Sequence, residues 1–548
     1  MPSNGRNISK DPSIKLAEPS VREHNKTQQR SSRGRPGTTR RKARPAAAEV
    51  PTELAGGVES AATIGLPPLH VAMAASEATP FVKSGGLADV AGSLSTALER
   101  LGLRVSLIVP CYRSVLQGPF QIEDTGIRFT VPVSDRMESG SLLYTTLGNA
   151  ITVCLVRADR YFDREDLYGT ADGDYPDNAE RFVFFSRAVL EALKAKPPDI
   201  LHAHDWQAAL SVAFLRADPG RYQQLSSTRT VFSVHNAAYQ GIFWHLDWHL
   251  LNLDYRFFTP RYLEFHGKIN FLKSGLVFAD AITTVSPSYA EEVKTPEQGC
   301  GLDGVFRERA DSLTGILNGI DDSAWNPRSD PFIASRYDSD SLAEKKVCKA
   351  DLQRAFSLPE DPDVLLVGMV SRLASQKGFD LLQEALVELL RRRLQFVLLG
   401  SGDRRYQDLF TTIAQAHPER VGVKIAFDEA LAHRVVAGSD VLLIPSRYEP
   451  CGLAQMYSLR YGTIPVARAT GGLRDTVHPF DPATGVGNGF VFGPYQAESL
   501  LEAVDQTLDV FDREEDWTAL MKNAMAEDFS WDRSAPAYLR LYRQLSGR

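Results

Sequence analysis

The sequence has few cysteines and no long hydrophobic run. Its aliphatic stretches, such as Val364–Val370, are far shorter than the roughly 18 apolar residues that a membrane-spanning helix needs. The N-terminus also lacks the apolar core of a secretory signal, so we expect neither membrane insertion nor export. The cysteines are odd in number, widely spaced and form no C-x-x-C pair: Cys111, Cys154, Cys300, Cys348 and Cys451. This pattern argues against a disulfide framework and a structural zinc site, and it favours a reducing compartment, which we expect to be the cytoplasm.

Charge is distributed unevenly along the chain. The first 50 residues hold 12 Lys and Arg against 4 Asp and Glu, so they carry +8, and the rest of the chain carries −15. Residues 1–66 contain no Phe, Trp or Tyr, and such a segment cannot bury enough apolar surface to offset the entropy of ordering it. We therefore predict a disordered, basic N-terminal extension over residues 1–66.

The basic cluster Arg30–Arg44 leaves three interpretations open. Lys and Arg clusters bind nucleic-acid backbones without sequence preference, but we favour a solvated polar extension over a nucleic-acid role. An organelle transit segment, which would place the protein in a plastid, is the third interpretation, and the four acidic residues among the first 50 weaken it.

Beyond residue 66, short apolar runs alternate with stretches of helical periodicity, which is typical of βαβ units and a mainly parallel sheet. The predicted strands of the first half are His70–Ala75, Val105–Val109, Ile151–Leu155, Ile200–His204, Thr230–Val234 and Ala281–Val285. Those of the second half are Val364–Val370, Gln395–Leu399, Val423–Phe427, Val441–Pro445, Ile464–Ala467 and Gly489–Phe492. The pattern predicts an α/β fold with two Rossmann-like domains.

A segment with little apolar periodicity, Gly319–Asp338, separates the two halves. We place the domain boundary near residue 327, with an N-terminal domain over 67–327 and a C-terminal domain over 328–528. Open α/β sheets bind ligands outside the carboxyl ends of their strands, so the composite site is expected in a cleft between the domains.

The first candidate loop, Lys83–Val90, follows the first predicted strand and precedes a helical run. Gly85 and Gly86 let the backbone approach a ligand closely, and Lys83 adds a charge suited to a diphosphate. A plain Gly-rich turn with a solvated lysine is the alternative interpretation.

The second half has its own phosphate-suited loops. Arg372 and Lys377 follow the strand Val364–Val370, and two cations at a strand end suit an anionic leaving group. The segment Thr470-Gly471-Gly472 follows Ile464–Ala467 and offers further backbone N–H groups.

Glu449 lies just after the strand Val441–Pro445. A carboxylate at such a position accepts hydrogen bonds from sugar hydroxyls or stabilises positive charge at an anomeric carbon. A lone Glu at such a position is more often a helix N-terminal charge.

Two strands of the first half end in polar residues. His202, His204 and Asp205 end one, and His235 and Asn236 end the other. The H-x-H spacing raises the possibility of a metal site, but no further His or Cys completes a ligand set. We favour hydrogen bonding and stacking on a sugar and expect no metal.

Nine motifs, in order from about residue 68 onward, resemble those of bacterial glycogen synthases and plant starch synthases. They are K-S-G-G-L-A-D-V, H-A-H-D-W, H-N-A-A-Y-Q-G, N-F-L-K-S-G-L, T-V-S-P-S-Y-A, N-G-I-D, S-R-L-x-x-Q-K-G, S-R-Y-E-P-C-G-L and T-G-G-L-R-D-T-V. The resemblance implies a glycosyltransferase-B fold and a retaining hexosyltransferase. It would transfer glucose from ADP-glucose to the non-reducing 4-hydroxyl of an α-1,4-glucan such as glycogen, without a cofactor or metal.

The resemblance also implies roles for residues. The catalytic set is Glu449, His235, Asp205, Lys377 and Arg372, and the substrate-binding set is Lys83, Gly85, Gly86, Asn236, Thr470, Gly471 and Gly472. Arg372 and Lys377 would bind the diphosphate, Glu449 would hold the glucose, and the His235 carbonyl would lie near the anomeric carbon. Residues 529–548 resemble the helix that crosses back to the first domain in this fold.

The sequence departs from the pattern of the wider group at one position, and three other functions are alternatives. The wider glycosyltransferase-B group often has a second Glu where this chain has Tyr457, so the ribose contact is unassigned. A UDP-glucose-using transferase and a non-catalytic glucan-binding protein are alternatives. An NAD-dependent enzyme is disfavoured, since Gly400–Arg405 lacks the third glycine of the dinucleotide fingerprint. The sequence does not indicate an oligomeric state.

Overall fold

The structure is a computed structural model that describes residues 67–148, 150–170 and 173–548. The predicted basic extension over residues 1–66, with its three interpretations, lies outside the described residues.

The first lobe is built on a mixed sheet with helices packed on its faces. Its strands are β1 (His70–Ala74), β2 (Arg104–Pro110), β3 (Glu123–Val133), β4 (Arg136–Leu147), β5 (Ile151–Arg157), β6 (Gly169–Thr170), β7 (Gly173–Asp174), β8 (Ile200–His204), β9 (Arg229–Val234), β10 (Ile242–Trp244), β11 (Glu264–Phe265), β12 (Lys268–Asn270), β13 (Ala281–Thr284) and β14 (Leu313–Gly315). Its helices are α1 (Gly86–Arg100), α2 (Arg113–Gln117), α3 (Asp159–Phe162), α4 (Asn178–Leu193), α5 (Asp205–Ala217), α6 (Phe271–Phe278), α7 (Pro287–Glu292) and α8 (Asp303–Glu308). The order in the main sheet is β14-β13-β9-β8-β1-β2-β5-β4-β3.

The centre of this sheet is parallel and buried on both faces. Every residue of β1 and β8 is buried, and β1 pairs in parallel with both β2 and β8. Continuous apolar runs of this kind suit strands that are covered by helices on both sides. The carboxyl ends of β1, β8, β9 and β13 therefore lie along one edge, where the predicted polar residues follow.

The second lobe repeats the arrangement with a parallel sheet. Its strands are β15 (Leu365–Val370), β16 (Leu394–Gly400), β17 (Val421–Ile425), β18 (Val441–Ile444), β19 (Ile464–Arg468) and β20 (Phe490–Phe492), in the order β17-β16-β15-β18-β19-β20. Its helices are α9 (Lys345–Ala355), α10 (Phe379–Leu389), α11 (Arg404–Ala416), α12 (Glu429–Gly438), α13 (Ala454–Arg460), α14 (Gly471–Thr476), α15 (Ala497–Phe511) and α16 (Glu514–Ala526). The predicted α/β class with two doubly wound sheets is thus confirmed.

The structure corrects two strand predictions. The hairpin β3–β4 was missed, because most of β3 is exposed and its sequence, EDTGIRFTVPV, gives no continuous apolar run. The predicted strand Val423–Phe427 was placed two residues too late, since β17 begins at Val421 directly after the charged pair Glu419-Arg420.

The chain passes between the lobes twice, and the two passages are bonded to each other. Ile320 N–H, in the first passage, donates to the Phe529 carbonyl in the second at 2.8 Å. The chain then forms α17 (Trp531–Ser546), which packs on α1 of the first lobe. The hydroxyl of Tyr542 in α17 bonds to His202 Nδ1, at the end of β8, at 2.8 Å.

No helix of the described residues is long and apolar enough to cross a membrane. The five cysteines, all within the described residues, are free thiols.

Trp531, the first residue of α17, anchors the second passage. It is 3% exposed and belongs to the core of the first lobe. We expect Trp531→Ala to lower the free energy of unfolding by about 3 to 5 kcal/mol, the usual range for deleting a buried aromatic side chain. Chemical unfolding followed by circular dichroism measures this. The matched control is Trp244→Ala, since Trp244 is 59% exposed; equal losses in the two variants would contradict the anchoring role.

Candidate active site

The carboxyl edges of the two sheets face each other across a cleft. The guanidinium of Arg372, after β15, donates to the hydroxyl of Tyr239 in the first lobe at 3.1 Å. Gly86, at the start of α1, lies so near the second lobe that a Cβ there would be 3.6 Å from Leu453 Cδ1. The loop after β15 and the start of α1 therefore each lie against the opposite lobe.

Glu449 and Lys377 form an ion pair in this cleft. The Nζ of Lys377 lies 2.7 Å from Glu449 Oε2, and the Ser446 hydroxyl donates to the same oxygen at 2.9 Å. The Glu449 side chain is 9% exposed. Both residues line a cavity at the carboxyl ends of β15 and β18, together with Ser371, Ser446, Leu453 and Ala454. The alternative reading of Glu449 as a plain helix N-terminal charge is disfavoured, because its carboxylate faces Lys377.

The backbone around Glu449 requires the two glycines of the T-G-G-L motif. A Cβ on Gly471 would lie 2.1 Å from the Glu449 carbonyl oxygen, and the Gly472 N–H donates to that oxygen at 3.1 Å. Gly471 also has a φ of +45°, a region that favours glycine. The two glycines therefore allow α14 to pack directly against the Glu449 carbonyl.

The N–H groups of this motif are not free in the structure. The Gly471 N–H donates to Glu292 Oε1 of the first lobe at 2.9 Å, and the Thr470 hydroxyl lies 3.3 Å from Glu292 Oε2. A diphosphate could use the Gly471 amide only if the Glu292 carboxylate left. That Thr470, Gly471 and Gly472 bind substrate stays a prediction.

The Lys83 loop is held by an acidic residue that sequence reasoning missed. Glu77 Oε2 accepts hydrogen bonds from the backbone N–H of Ser84 at 2.5 Å and of Gly85 at 3.1 Å. The Tyr168 hydroxyl donates to the other oxygen of this carboxylate at 2.9 Å. Burial raises the pKa of Glu77. The Gly85 N–H is therefore engaged, and the Nζ of Lys83 pairs with Asp89 at 2.8 Å. That Lys83, Gly85 and Gly86 bind substrate stays a prediction.

Asp205 is held in an unusual backbone conformation at the start of α5. Its φ is +54°, which is uncommon for a residue other than glycine and is a feature that clusters at functional sites. Its Oδ1 accepts the backbone N–H of His235 at 2.7 Å. Burial raises the pKa of Asp205 to about 7. The side chain thus fixes the peptide before His235 and keeps a proton to unusually high pH.

The histidines of the two strand ends form buried hydrogen bonds. His204 Nδ1 lies 3.0 Å from His235 Nε2, and His202 Nε2 lies 2.7 Å from the Ser233 hydroxyl. Burial lowers the pKa of His202 to about 3 and that of His235 to about 4. These imidazoles are therefore neutral near pH 7, and both ring nitrogens of His202 already have partners. Among the described residues, no group of three or more His, Cys, Asp or Glu is placed to hold a metal ion.

Two tyrosines complete the cleft and were not singled out from the sequence. The Tyr239 hydroxyl bonds to Arg372, and Tyr448 directly precedes Glu449. Burial raises the pKa of Tyr448 to about 12. Both tyrosines lie in motifs of the sequence that also hold predicted site residues. An aromatic residue in a loop at a strand end was the signal that could have identified them.

Comparison with known proteins identifies the relatives of this chain. Residues 70–308 match a family described as the starch synthase catalytic domain, and residues 351–523 match glycosyl transferases group 1. A glycogen synthase of Koribacter versatilis is 48% identical over 479 residues, which cover 87% of this chain and 98% of the relative. A glycogen synthase of Syntrophotalea carbinolica is 45% identical and covers 87% of this chain and 99% of its own.

Solved structures agree with these sequence relationships. The catalytic domain of starch synthase IV from Arabidopsis thaliana, bound to ADP and acarbose, superposes with a TM-score of 0.82 at 34% identity, over 88% of this chain and all of that one. A sucrose-phosphate synthase of Thermosynechococcus elongatus superposes with a TM-score of 0.55 at 18% identity over 87% of this chain and 99% of that one, which supports the fold alone. The predicted glycosyltransferase-B fold is confirmed.

The raised pKa of Asp205 predicts a pH-dependent contribution to stability. In the unfolded chain an Asp has a pKa of about 3.9, whereas burial raises that of folded Asp205 to about 7. Between these values the folded state holds a proton that the unfolded chain has released, so stability falls as the pH rises through this window. Relative to Asp205→Asn, the wild type should lose thermal stability from pH 5 to pH 7. Asp340→Asn, at an exposed position, is the control, and a constant difference between wild type and Asp205→Asn would contradict the prediction.

Proposed function

The chain belongs to the family of bacterial glycogen synthases and plant starch synthases, and we propose that its cleft transfers glucose from ADP-glucose to the non-reducing 4-hydroxyl of an α-1,4-glucan, with retention. Family membership makes the protein a glycogen synthase-type glycosyltransferase. The observation that carries the site assignment is the Lys377–Glu449 ion pair in the cleft between the lobes.

In the proposal, the cations of the cleft bind the diphosphate of the donor. In the structure, Lys377 pairs with Glu449, Lys83 pairs with Asp89, and Arg372 bonds to the Tyr239 hydroxyl. Each of these partners supplies less charge than a diphosphate, so the donor attracts the three cations. Fixed cations stabilise the negative charge that develops on departing ADP.

Glu449 takes the transferred glucose. Once Lys377 turns to the diphosphate, the Glu449 carboxylate is left in a cavity from which water is largely excluded. Sugar hydroxyls then donate to its oxygens, and its negative charge stabilises the positive charge of the oxocarbenium-like transition state. Ser446 keeps one of these oxygens in place.

Asp205 and His235 provide the acceptor side. Asp205 holds the His235 N–H, which fixes the orientation of the adjoining peptides. In the proposal the His235 carbonyl faces the anomeric carbon and its dipole favours the developing positive charge. The imidazole of His235 remains neutral, because burial lowers its pKa to about 4.

Transfer proceeds on one face of the sugar. The bond between the anomeric carbon and the β-phosphate oxygen breaks, and a bond from the same carbon to the acceptor 4-oxygen forms. The proton of the 4-hydroxyl passes to the departing phosphate, so configuration is retained and ADP leaves. Lys377, Arg372 and Lys83 supply the positive charge at the leaving group, so the proposal includes no divalent ion.

Adenine is the proposed base, since the neighbouring starch synthase IV structure is described as bound to ADP. The decisive experiment follows incorporation of labelled glucose into glycogen from ADP-glucose and UDP-glucose in parallel, with and without a chelator. We expect ADP-glucose to be preferred by at least about tenfold, which corresponds to about 1.4 kcal/mol of discrimination, and the chelator to have no effect. A preference for UDP-glucose would overturn the choice of adenine as the base. Loss of activity with the chelator would overturn transfer without a divalent ion, and no incorporation at all would overturn the proposed activity.

The site assignment is tested by two substitutions. Glu449→Ala and Lys377→Ala should each lower kcat by about 100-fold or more, the usual cost of removing one electrostatic contact to a transition state. The exposed ion pair Lys346–Glu514 gives matched controls, Lys346→Ala and Glu514→Ala, which should keep wild-type activity. Circular dichroism checks that each variant is folded. Folded Glu449→Ala and Lys377→Ala proteins with more than half of wild-type activity would refute the assignment.

A further inference from the structure

The motif T-V-S-P-S-Y-A has no role in the mechanism above, yet it lies where the lobes meet. With the next two residues it forms the joint segment, Thr284–Glu292, which runs from the end of β13 through α7. Ser286 and Tyr289 within it are 0% and 1% exposed. Polar side chains buried to this degree need hydrogen-bond partners, and the partners lie in the two catalytic loops.

Two side chains of the joint segment hold the loop that carries His235 and Asn236. The Thr284 hydroxyl donates to the Val234 carbonyl at 2.9 Å, just before His235. The Tyr289 hydroxyl accepts the Ala237 N–H at 2.9 Å, just after Asn236. The loop is therefore fixed on both sides.

Another side chain of the same segment reaches the second lobe. The Ser286 hydroxyl donates to the Pro450 carbonyl at 2.6 Å and accepts the Tyr289 N–H at 3.1 Å. Pro450 directly follows Glu449. One buried hydroxyl thus links the start of α7 to the residue beside the Glu449 carboxylate.

A reciprocal pair of carboxylate contacts reinforces this link. Glu292, the last residue of α7, accepts the Gly471 N–H of α14 at 2.9 Å. Asp475, in the last turn of α14, accepts the Ser288 N–H of α7 at 2.9 Å and the Ser288 hydroxyl at 2.6 Å. Each short helix therefore carries a carboxylate that binds the first turn of the other.

The contact with α14 passes on to Glu449. Gly472 N–H, one residue beyond the amide that Glu292 holds, donates to the carbonyls of Glu449 and Pro450, both at 3.1 Å. The first lobe thus reaches Pro450, the residue after Glu449, directly through Ser286, and it reaches the Glu449 carbonyl indirectly through Glu292 and α14.

We propose that the joint segment is a positioning element of the active site, which sets the Glu449 loop of one lobe against the His235 loop of the other. Ser286, Tyr289 and Glu292 are its positioning residues, and none of them touches substrate. This inference rests on the proposed function, because it assigns Glu449 and His235 to opposite sides of one reacting sugar. Displacement of a reacting group by about 1 Å can cost about 100-fold in rate.

The test compares Ser286→Ala and Tyr289→Phe with two matched controls. Ser274 is a buried serine whose hydroxyl bonds within α6, and Tyr337 is a buried tyrosine whose hydroxyl donates to the Tyr461 carbonyl in the second lobe. Ser274→Ala and Tyr337→Phe therefore remove a buried hydroxyl without touching either catalytic loop. For all four variants, kcat and KM for ADP-glucose, the Kd for ADP and the thermal midpoint are measured.

We expect Ser286→Ala and Tyr289→Phe to lower kcat by about tenfold or more, since the reacting groups lose alignment. The Kd for ADP should stay within about twofold of wild type, because ADP has no glucose for Glu449 to hold. Their thermal midpoints should fall no further than those of the controls. Glu292→Ala should show the same loss of kcat, and Glu292→Gln should restore most of it, since the amide oxygen still accepts the Gly471 N–H.

A fall in kcat no larger than that of Ser274→Ala and Tyr337→Phe would overturn the proposal. So would a loss of kcat that follows the thermal midpoint across all variants, because that would indicate a purely structural role. A wild-type protein that incorporates no glucose would instead count against the proposed function, so the two failures are distinguishable.

Discussion

Burying a charge is costly unless the charge is paired and hydrogen-bonded, and the Lys377–Glu449 ion pair meets that need at the centre of the cleft. Much of the cleft follows from it. Lys377 and Ser446 both contact the Glu449 carboxylate, and Lys377 stays close to the place where the diphosphate is proposed to bind. In the proposed mechanism, donor binding exchanges the Glu449 carboxylate for the diphosphate as the partner of Lys377.

The fold delivers these groups to one place through the geometry of parallel sheets. Strand ends on the same edge bring Asp205 and His235 together in the first lobe, and they bring Lys377 and Glu449 together in the second. The backbone then refines the placement: a positive φ at Asp205 lets its carboxylate reach the His235 N–H, and Gly471 and Gly472 allow α14 to start directly against Glu449. The placement of these groups therefore depends both on their side chains and on unusual backbone conformations.

The sequence predicted the fold class and most strands of both sheets, because buried parallel strands are continuous apolar runs followed by polar loops. It placed Lys377 and Glu449 at strand ends, where the structure pairs them. It missed the β3–β4 hairpin, because most of β3 is exposed and lacks that signal. It also could not show that Glu292 occupies the Gly471 amide or that Ser286 holds Pro450. These pairs are 179 and 164 residues apart, and hydrogen bonds between distant loops leave no periodic trace in the chain.

The two passages of the chain between the lobes lie side by side. The hydrogen bond from the Ile320 N–H to the Phe529 carbonyl ties these passages to each other. Arg372 with Tyr239, and Gly86 with Leu453, approach each other from opposite lobes. Any separation of the lobes would therefore lengthen both of these approaches, whereas the bond between the two passages joins parts of the chain that pass between the lobes together.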